Sequence, residues 1–191
     1  MPPQSPVENM LIAVVQYQRN MAVSGTVGVS LRGPLRPSLK TLFEPQHPSH
    51  PIVYILSNLV RATTYRSLSE QLGTFLVLYT LFQWQVTHNY ETYINLPEWY
   101  RPTAAQLSIP HPSWVSYLGW PEMRDIVIKD PARYANVEFQ YLYVANANVH
   151  WPYPPEATLV FEGEELRVTD TFLNHVMDLR NWTLDDPYVI S

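Results

Sequence analysis

Six histidines, six tryptophans, thirteen tyrosines and no cysteine set the chemistry open to this 191-residue chain. Without Cys, disulfides, thiolate nucleophiles, iron–sulfur clusters and Cys-based zinc sites are excluded. The chain carries no Gly-rich phosphate loop, no H-E-x-x-H, no G-x-S-x-G and no EF-hand pattern. The acidic pairs Glu164-Glu165 and Asp185-Asp186 lack a third carboxylate at helical spacing. That argues against ionisation of a diphosphate by an Asp-rich Mg²⁺ site, which needs carboxylates converging on the ion. His47 and His50 form H-x-x-H, but Pro48 and Pro51 break the helix that would align them, so the pair reads as a solvated loop. No metal and no cofactor are expected.

The remaining candidates are His111, Trp114, Trp120, Arg124 and Trp151, read as a ligand-binding set. His111 is fixed between Pro110 and Pro112 beside Trp114. An imidazole held this way suits general acid–base work near neutral pH. The competing use is a packed His donating to a backbone carbonyl. Trp114, Trp120 and Trp151 flank Pro-rich turns, where aromatics with a polar tip suit a pocket wall, a partner surface or plain core. At about 100° per residue, Arg124 falls between Val127 and Ile128 inside the apolar arc of its helix. Asp125 lies on the opposite face with Glu122 and Lys129, as an i,i+4 partner of Lys129. Arg124 is therefore a semi-buried cation in need of a carboxylate, a backbone carbonyl or a ligand acceptor. The stretch from His111 to Arg124 is short and Pro-bounded, so convergence on one site is expected.

Short helices must position these groups. Ser5-Pro6-Val7-Glu8 is a capping box with Pro at the first helical position. Val7, Met10, Leu11, Val14, Tyr17 and Met21 continue it as an amphipathic helix to about Val23. Residues 24–50 lose periodicity and hold three Gly and four Pro, which predicts a flexible arm or lid with a short turn at Ser38–Phe43. Pro51 opens a second helix with Ile52, Ile55, Leu56, Leu59 and Val60 on one face. Ser67-Leu68-Ser69-Glu70 caps a long helix that is apolar on most sides, the signature of a bundle centre. Prolines at 97, 102, 110, 112, 121 and 131 then punctuate short helices near 103–107, 112–118 and 121–129. Residues 132–146 fit helix or strand, with helix preferred. HWPYPP (150–155) reads as a rigid extended turn, 159–168 as a hairpin, and Thr169 as the cap of a last helix. The expected fold is mainly α, a single-domain irregular bundle spanning residues 1–191.

Hydrophobic content of 46% with 15% charged residues describes a folding chain rather than a disordered one. The net charge is −5, concentrated in the second half: residues 1–95 carry six basic and four acidic side chains, residues 96–191 six and thirteen. That balance disfavours a nucleic-acid binder. The apolar content near Gln71–Tyr90 is too short and too interrupted for a membrane span, which needs about 20 apolar residues. The start MPPQSPVEN has Glu8 where a secretory signal would want a cation. An intracellular, cytoplasmic or nuclear protein is expected. Asn181-Trp182-Thr183 fits a glycosylation sequon but carries no weight in that setting.

The order LPEWYRPTAAQL (96–107), PHPSW (110–114), WPEMRD (120–125), HWPY (150–153) and NWT (181–183) resembles a fungal domain of unknown function. In that family the domain typically follows a basic-leucine-zipper region. The likeness covers residues 50–183, with His150 where Asn is expected before the Trp. What the resemblance implies is a link to fungal transcription regulation, with no catalytic residues to carry over. No basic region or heptad zipper accompanies it here, so direct DNA reading is not expected. The expected role is a stand-alone accessory module of fungal regulation or secondary metabolism, binding a protein or a small apolar molecule. The alternative is a cofactor-independent pocket enzyme, a cyclase, pericyclase or isomerase acting on an apolar metabolite.

Overall fold

In the computed structural model, which describes residues 6–185, every long-range arrangement refers back to one helix. The chain begins with α1 (Pro6–Val23), which buries Glu8, Leu11, Val14, Val15 and Gln18. Leu11 and Val14 of the expected stripe face the core, whereas Tyr17 and Met21 are exposed and Val15 and Gln18 turn inward; the side chains of Val7 and Met10 lie outside the described ones. Ser5, the expected cap, lies outside the described residues.

Residues 24–50 pack onto the bundle rather than forming a free arm. They contain α2 (Val29–Arg32) and α3 (Lys40–Phe43), and they bury Leu31, Leu39, Thr41 and Leu42. The segment lacks an apolar period because it is held through its carbonyls. The Tyr79 hydroxyl and Gln83 Nε2 both donate to the Pro34 carbonyl, at 2.7 and 3.0 Å. Arg61 donates to the Thr41 carbonyl at 2.6 Å. Gly33 sits at φ 79°, and a Cβ there would run into the Tyr79 hydroxyl, so close approach and backbone sign both require glycine.

Next comes α4 (Pro51–Ala62), capped by His50 Nδ1, which accepts the Ile52 amide at 3.3 Å. The centre is α5 (Leu68–Thr87), opened by Ser67 accepting the Glu70 amide. Leu72, Phe75, Tyr79, Leu81 and Phe82 on different sides of it are all at most 1% exposed. Neighbours surround it: α1, α2, α4, α6 (Tyr90–Asn95) and, from the far end of the chain, the last helix at 170–176. This is the geometry of an all-round apolar helix.

The Pro-punctuated half follows as α7 (Ala104–Ser108), α8 (Pro121–Lys129), α9 (Pro131–Tyr134) and α10 (Val137–Asn146), with 3-10 turns at 98–100 and 113–117. Residues 132–146 are helical apart from a break near Ala135. Strand β1 (Ala147–Val149) pairs antiparallel with β4 (Trp182–Leu184), a pairing not anticipated from sequence, in the register Asn148 with Thr183. The expected hairpin is present as β2 (Leu159–Glu162) and β3 (Glu165–Val168) around Gly163. Helix α11 (Asp170–Val176) starts on Thr169, which accepts the Phe172 amide.

Two apolar clusters result. The larger is centred on α5 and draws on α1, α4, β1, β4 and α11. The smaller gathers Ala105, Trp114, Val115, Leu118, Met123, Val127, Ile128 and Phe139. Tyr117 and Trp120 pack against both. Among the described residues, no helix is long and apolar enough to cross a membrane.

Candidate functional site

The candidate site begins at the seam between the two clusters. Pro97 and Pro102 hold the chain extended on either side of a 3-10 turn, so the carbonyls there have few partners within their own segment. Arg124 projects into this seam from α8 and is completely buried. Its Nη2 donates to the carbonyls of Trp99 and Arg101 at 2.6 and 3.1 Å, and its Nη1 to that of Leu118 at 3.1 Å. The guanidinium lies 6.0 Å from the centre of the Tyr100 ring. Burial pulls its pKa down, and the phenols of Tyr100 and Tyr143 counter that. Arg124 Nε has no acceptor. The helical wheel placed Arg124 correctly, and the acceptors it needed are backbone carbonyls.

Around it the motif residues serve one another. Thr103 and Gln106 form a complete capping box at α7, and Gln106 Nε2 also donates to the Ser116 hydroxyl at 3.3 Å. The Thr103 hydroxyl donates to Asp125 Oδ1 at 2.5 Å. Asp125 also lies 3.9 Å from Lys129 Nζ, so its face of α8 is tied to α7 as well as solvated. The Tyr100 hydroxyl donates to the Tyr117 carbonyl at 3.0 Å. Burial drives the Tyr100 pKa well upward and that of Tyr143 to about 12. Tyr143 accepts the Gly119 amide at 2.8 Å. A Cβ on Gly119 would stand 3.1 Å from Trp99 and 3.3 Å from the Tyr143 hydroxyl, so any larger residue would press both aside by a few tenths of an ångström.

Of the five candidate ligand-binding residues, four, His111, Trp114, Trp120 and Arg124, are expected to border one site. Trp114 is buried against Phe139 in the smaller cluster, with ring centres 6.3 Å apart. Trp120 is half-buried and meets Tyr143 edge-to-face at 6.1 Å. Arg124 follows it on α8. His111 is half-buried, with its Nδ1–H on the Ile109 carbonyl at 2.8 Å. Trp151 belongs to another group, with Phe172 at 4.9 Å and His175 at 5.1 Å, and its indole N–H donates to the Pro154 carbonyl. The late motifs close the same region. Trp99 Nε1 donates to the Met177 carbonyl at 2.9 Å, Trp182 Nε1 to that of Val176 at 2.8 Å, and Asn181 Nδ2 to that of His175 at 2.9 Å.

Two features were missed in the sequence. Glu8, only 2% exposed, accepts from the Ser113 hydroxyl and from the Trp114 amide at 3.1 Å, fastening α1 to the PHPSW segment. Its place three residues before the buried Leu11 was the available signal. The second is a half-open cavity of about 280 Å³ between the 22–32 segment and residues 86–91. Arg32 and Glu91 line it, joined at 2.9 Å, the Arg32 side chain buried and the Glu91 carboxylate half exposed. None of the five expected residues lines this cavity. Among the described residues, no group of three or more His, Asp or Glu could hold a metal ion.

The model of the family described as Domain of unknown function (DUF3425) matches residues 79–191, which takes in every motif of this seam. The chain belongs to the DUF3425 family. No curated protein and no solved structure matches it. The DUF3425 match starts at Tyr79, inside α5, so it is shorter at its beginning than the likeness read from residue 50. Helices α1–α4 lie outside it, and Glu8 reaches into it from there. The cavity straddles the boundary: Ala22, Val27, Leu31 and Arg32 precede the DUF3425 block, and Val86, Asn89 and Glu91 belong to it.

Proposed function

We propose that this DUF3425 protein is a non-catalytic binding module: an accessory domain of fungal regulation or secondary metabolism, acting in the cytoplasm or nucleus without reading DNA itself. It binds a protein or a small apolar molecule. The observation that carries the reading is that both terminal nitrogens of the fully buried Arg124 are turned onto backbone carbonyls, those of Trp99, Arg101 and Leu118. The motif residues build a scaffold, and the buried cation among them is aimed at backbone, with its unpaired Nε shut away from solvent. The net charge of −5 supports the absence of duplex DNA binding.

The test is native mass spectrometry of the protein purified from its own host. A retained molecule released unchanged supports the module. Conversion of that molecule into a product refutes it and favours the second reading, a cofactor-independent cyclase, pericyclase or isomerase. That second reading draws on the half-exposed Glu91 carboxylate at the cavity. A sequence-selective mobility shift surviving about 150 mM salt would refute the exclusion of DNA.

A further inference from the structure

We propose that the cavity between the 22–32 segment and residues 86–91 is the binding site, and that its ligand class is a small uncharged molecule joining a carboxamide-type group to an apolar body. The inference rests on the binding-module reading and specifies where and what the module binds. The cavity volume of about 280 Å³ lies just below the range for drug-sized ligands, roughly 300–1,000 Å³, which sets a small ligand. Ala22, Val27, Leu31 and Val86 give it apolar walls. Val27 of this lining is 76% exposed, an apolar side chain left open to an incoming ligand.

Charge and hydrogen-bonding capacity select the polar end of the ligand. Arg32 and Glu91 neutralise each other at 2.9 Å. A carboxylate ligand approaching Arg32 meets the like charge of Glu91, and an ammonium approaching Glu91 meets that of Arg32. A neutral ligand meets neither repulsion. Glu91 bonds Arg32 through Oε1 alone, leaving Oε2 as an acceptor. Asn89 spends Oδ1 on the Thr92 amide and hydroxyl, leaving Nδ2 as a donor. A carboxamide matches that pair: its N–H donates to Glu91 Oε2 and its carbonyl accepts from Asn89 Nδ2. The apolar body then lies on Val27, Leu31 and Val86.

Benzamide is the probe, titrated into the isotope-labelled full chain by amide NMR, with benzoate and benzylamine as charged comparators. The expected result is saturable shifts confined to residues 22–32 and 86–91, with both comparators at least about tenfold weaker. Asn89→Asp keeps the Thr92 cap and removes the donor, and about tenfold weaker benzamide binding is expected. Val27→Trp, at an exposed position that leaves the fold intact, fills the cavity and is expected to abolish the shifts. Shifts centred elsewhere, no saturation, undiminished binding in Val27→Trp, or a comparator as tight as benzamide would each overturn the proposal. A molecule retained unchanged in native mass spectra but mapping to another surface overturns this site alone. Turnover of a retained molecule overturns the binding-module reading itself.

Discussion

Replacing Arg124 with Met separates a structural clamp from a ligand-binding cation. Met keeps much of the side-chain volume and leaves the carbonyls of Trp99, Arg101 and Leu118 without their donor. Hydrogen bonds from a charged donor contribute about 1.5–3 kcal/mol each, which gives a gross loss of several kcal/mol. Part is recovered, because the variant no longer buries a guanidinium or its unpaired Nε. A net loss of about 3–5 kcal/mol is expected, because three buried carbonyls lose their donor at about 1–3 kcal/mol each. For a chain of this size that lowers the melting temperature by about 10 °C. Arg124→Lys keeps the charge but not the planar fork, and about half the loss is expected. Urea unfolding followed by tryptophan fluorescence measures both, with the m-value unchanged if only native contacts are lost. An Arg124→Met protein within about 0.5 kcal/mol of the parent would refute the clamp, since that is the range of an inconsequential surface change.

Gly119→Ala forces a methyl toward Trp99 and Tyr143 and should cost about 1–3 kcal/mol by overpacking, read from the same urea midpoints. Glu8→Ala removes the acceptor of the Ser113 hydroxyl and the Trp114 amide, and a loss of about 2–3 kcal/mol with faster hydrogen exchange at Trp114 is expected. Acidification should also weaken the fold. His50 has its pKa lowered by burial, against the opposing Ser30 carbonyl, and His88 by burial and then by Arg19. Both are thus held neutral when folded, the unfolded chain takes up their protons first, and stability falls as pH drops below about 6.5. His50→Asn, which preserves the helix cap, should flatten that slope in urea titrations between pH 7 and the lower values. A slope unchanged in the variant excludes His50 as its source.

The helices were legible wherever an apolar period or a capping residue announced them. Thr169, Ser67 and Pro51 mark their helices in the sequence as they do in the structure. The hairpin at 159–168 was readable from its short apolar runs around Glu162–Glu165. Arg124 was placed by its position on a wheel, a local property. What failed was whatever depends on distant backbone. The 24–50 segment is held by side chains of Arg61, Tyr79 and Gln83 acting on its carbonyls, and no periodicity encodes that. The pairing of Ala147–Val149 with Trp182–Leu184 joins two runs of three residues, too short to signal alternation. Trp151, named as a ligand-binding candidate because it stands beside prolines, packs on Phe172 and His175, contacts that its local sequence does not encode.

The beginning of the family match inside α5 has a consequence for what counts as a unit. A chain started at Tyr79 would lose Leu72, Phe75 and Leu76 from a helix whose remaining turns pack on α1 and α2. It would also lose the Glu8 carboxylate that receives the Trp114 amide. The stretch that recurs between proteins and the stretch that folds are therefore different lengths of chain. Transplanting the block from Tyr79 onward into another protein would succeed only if the host supplied a helix to lie along the cut one and an acid to meet the PHPSW turn. The first helix is less an appendage to the shared region than the half of a mould that the shared region is cast against.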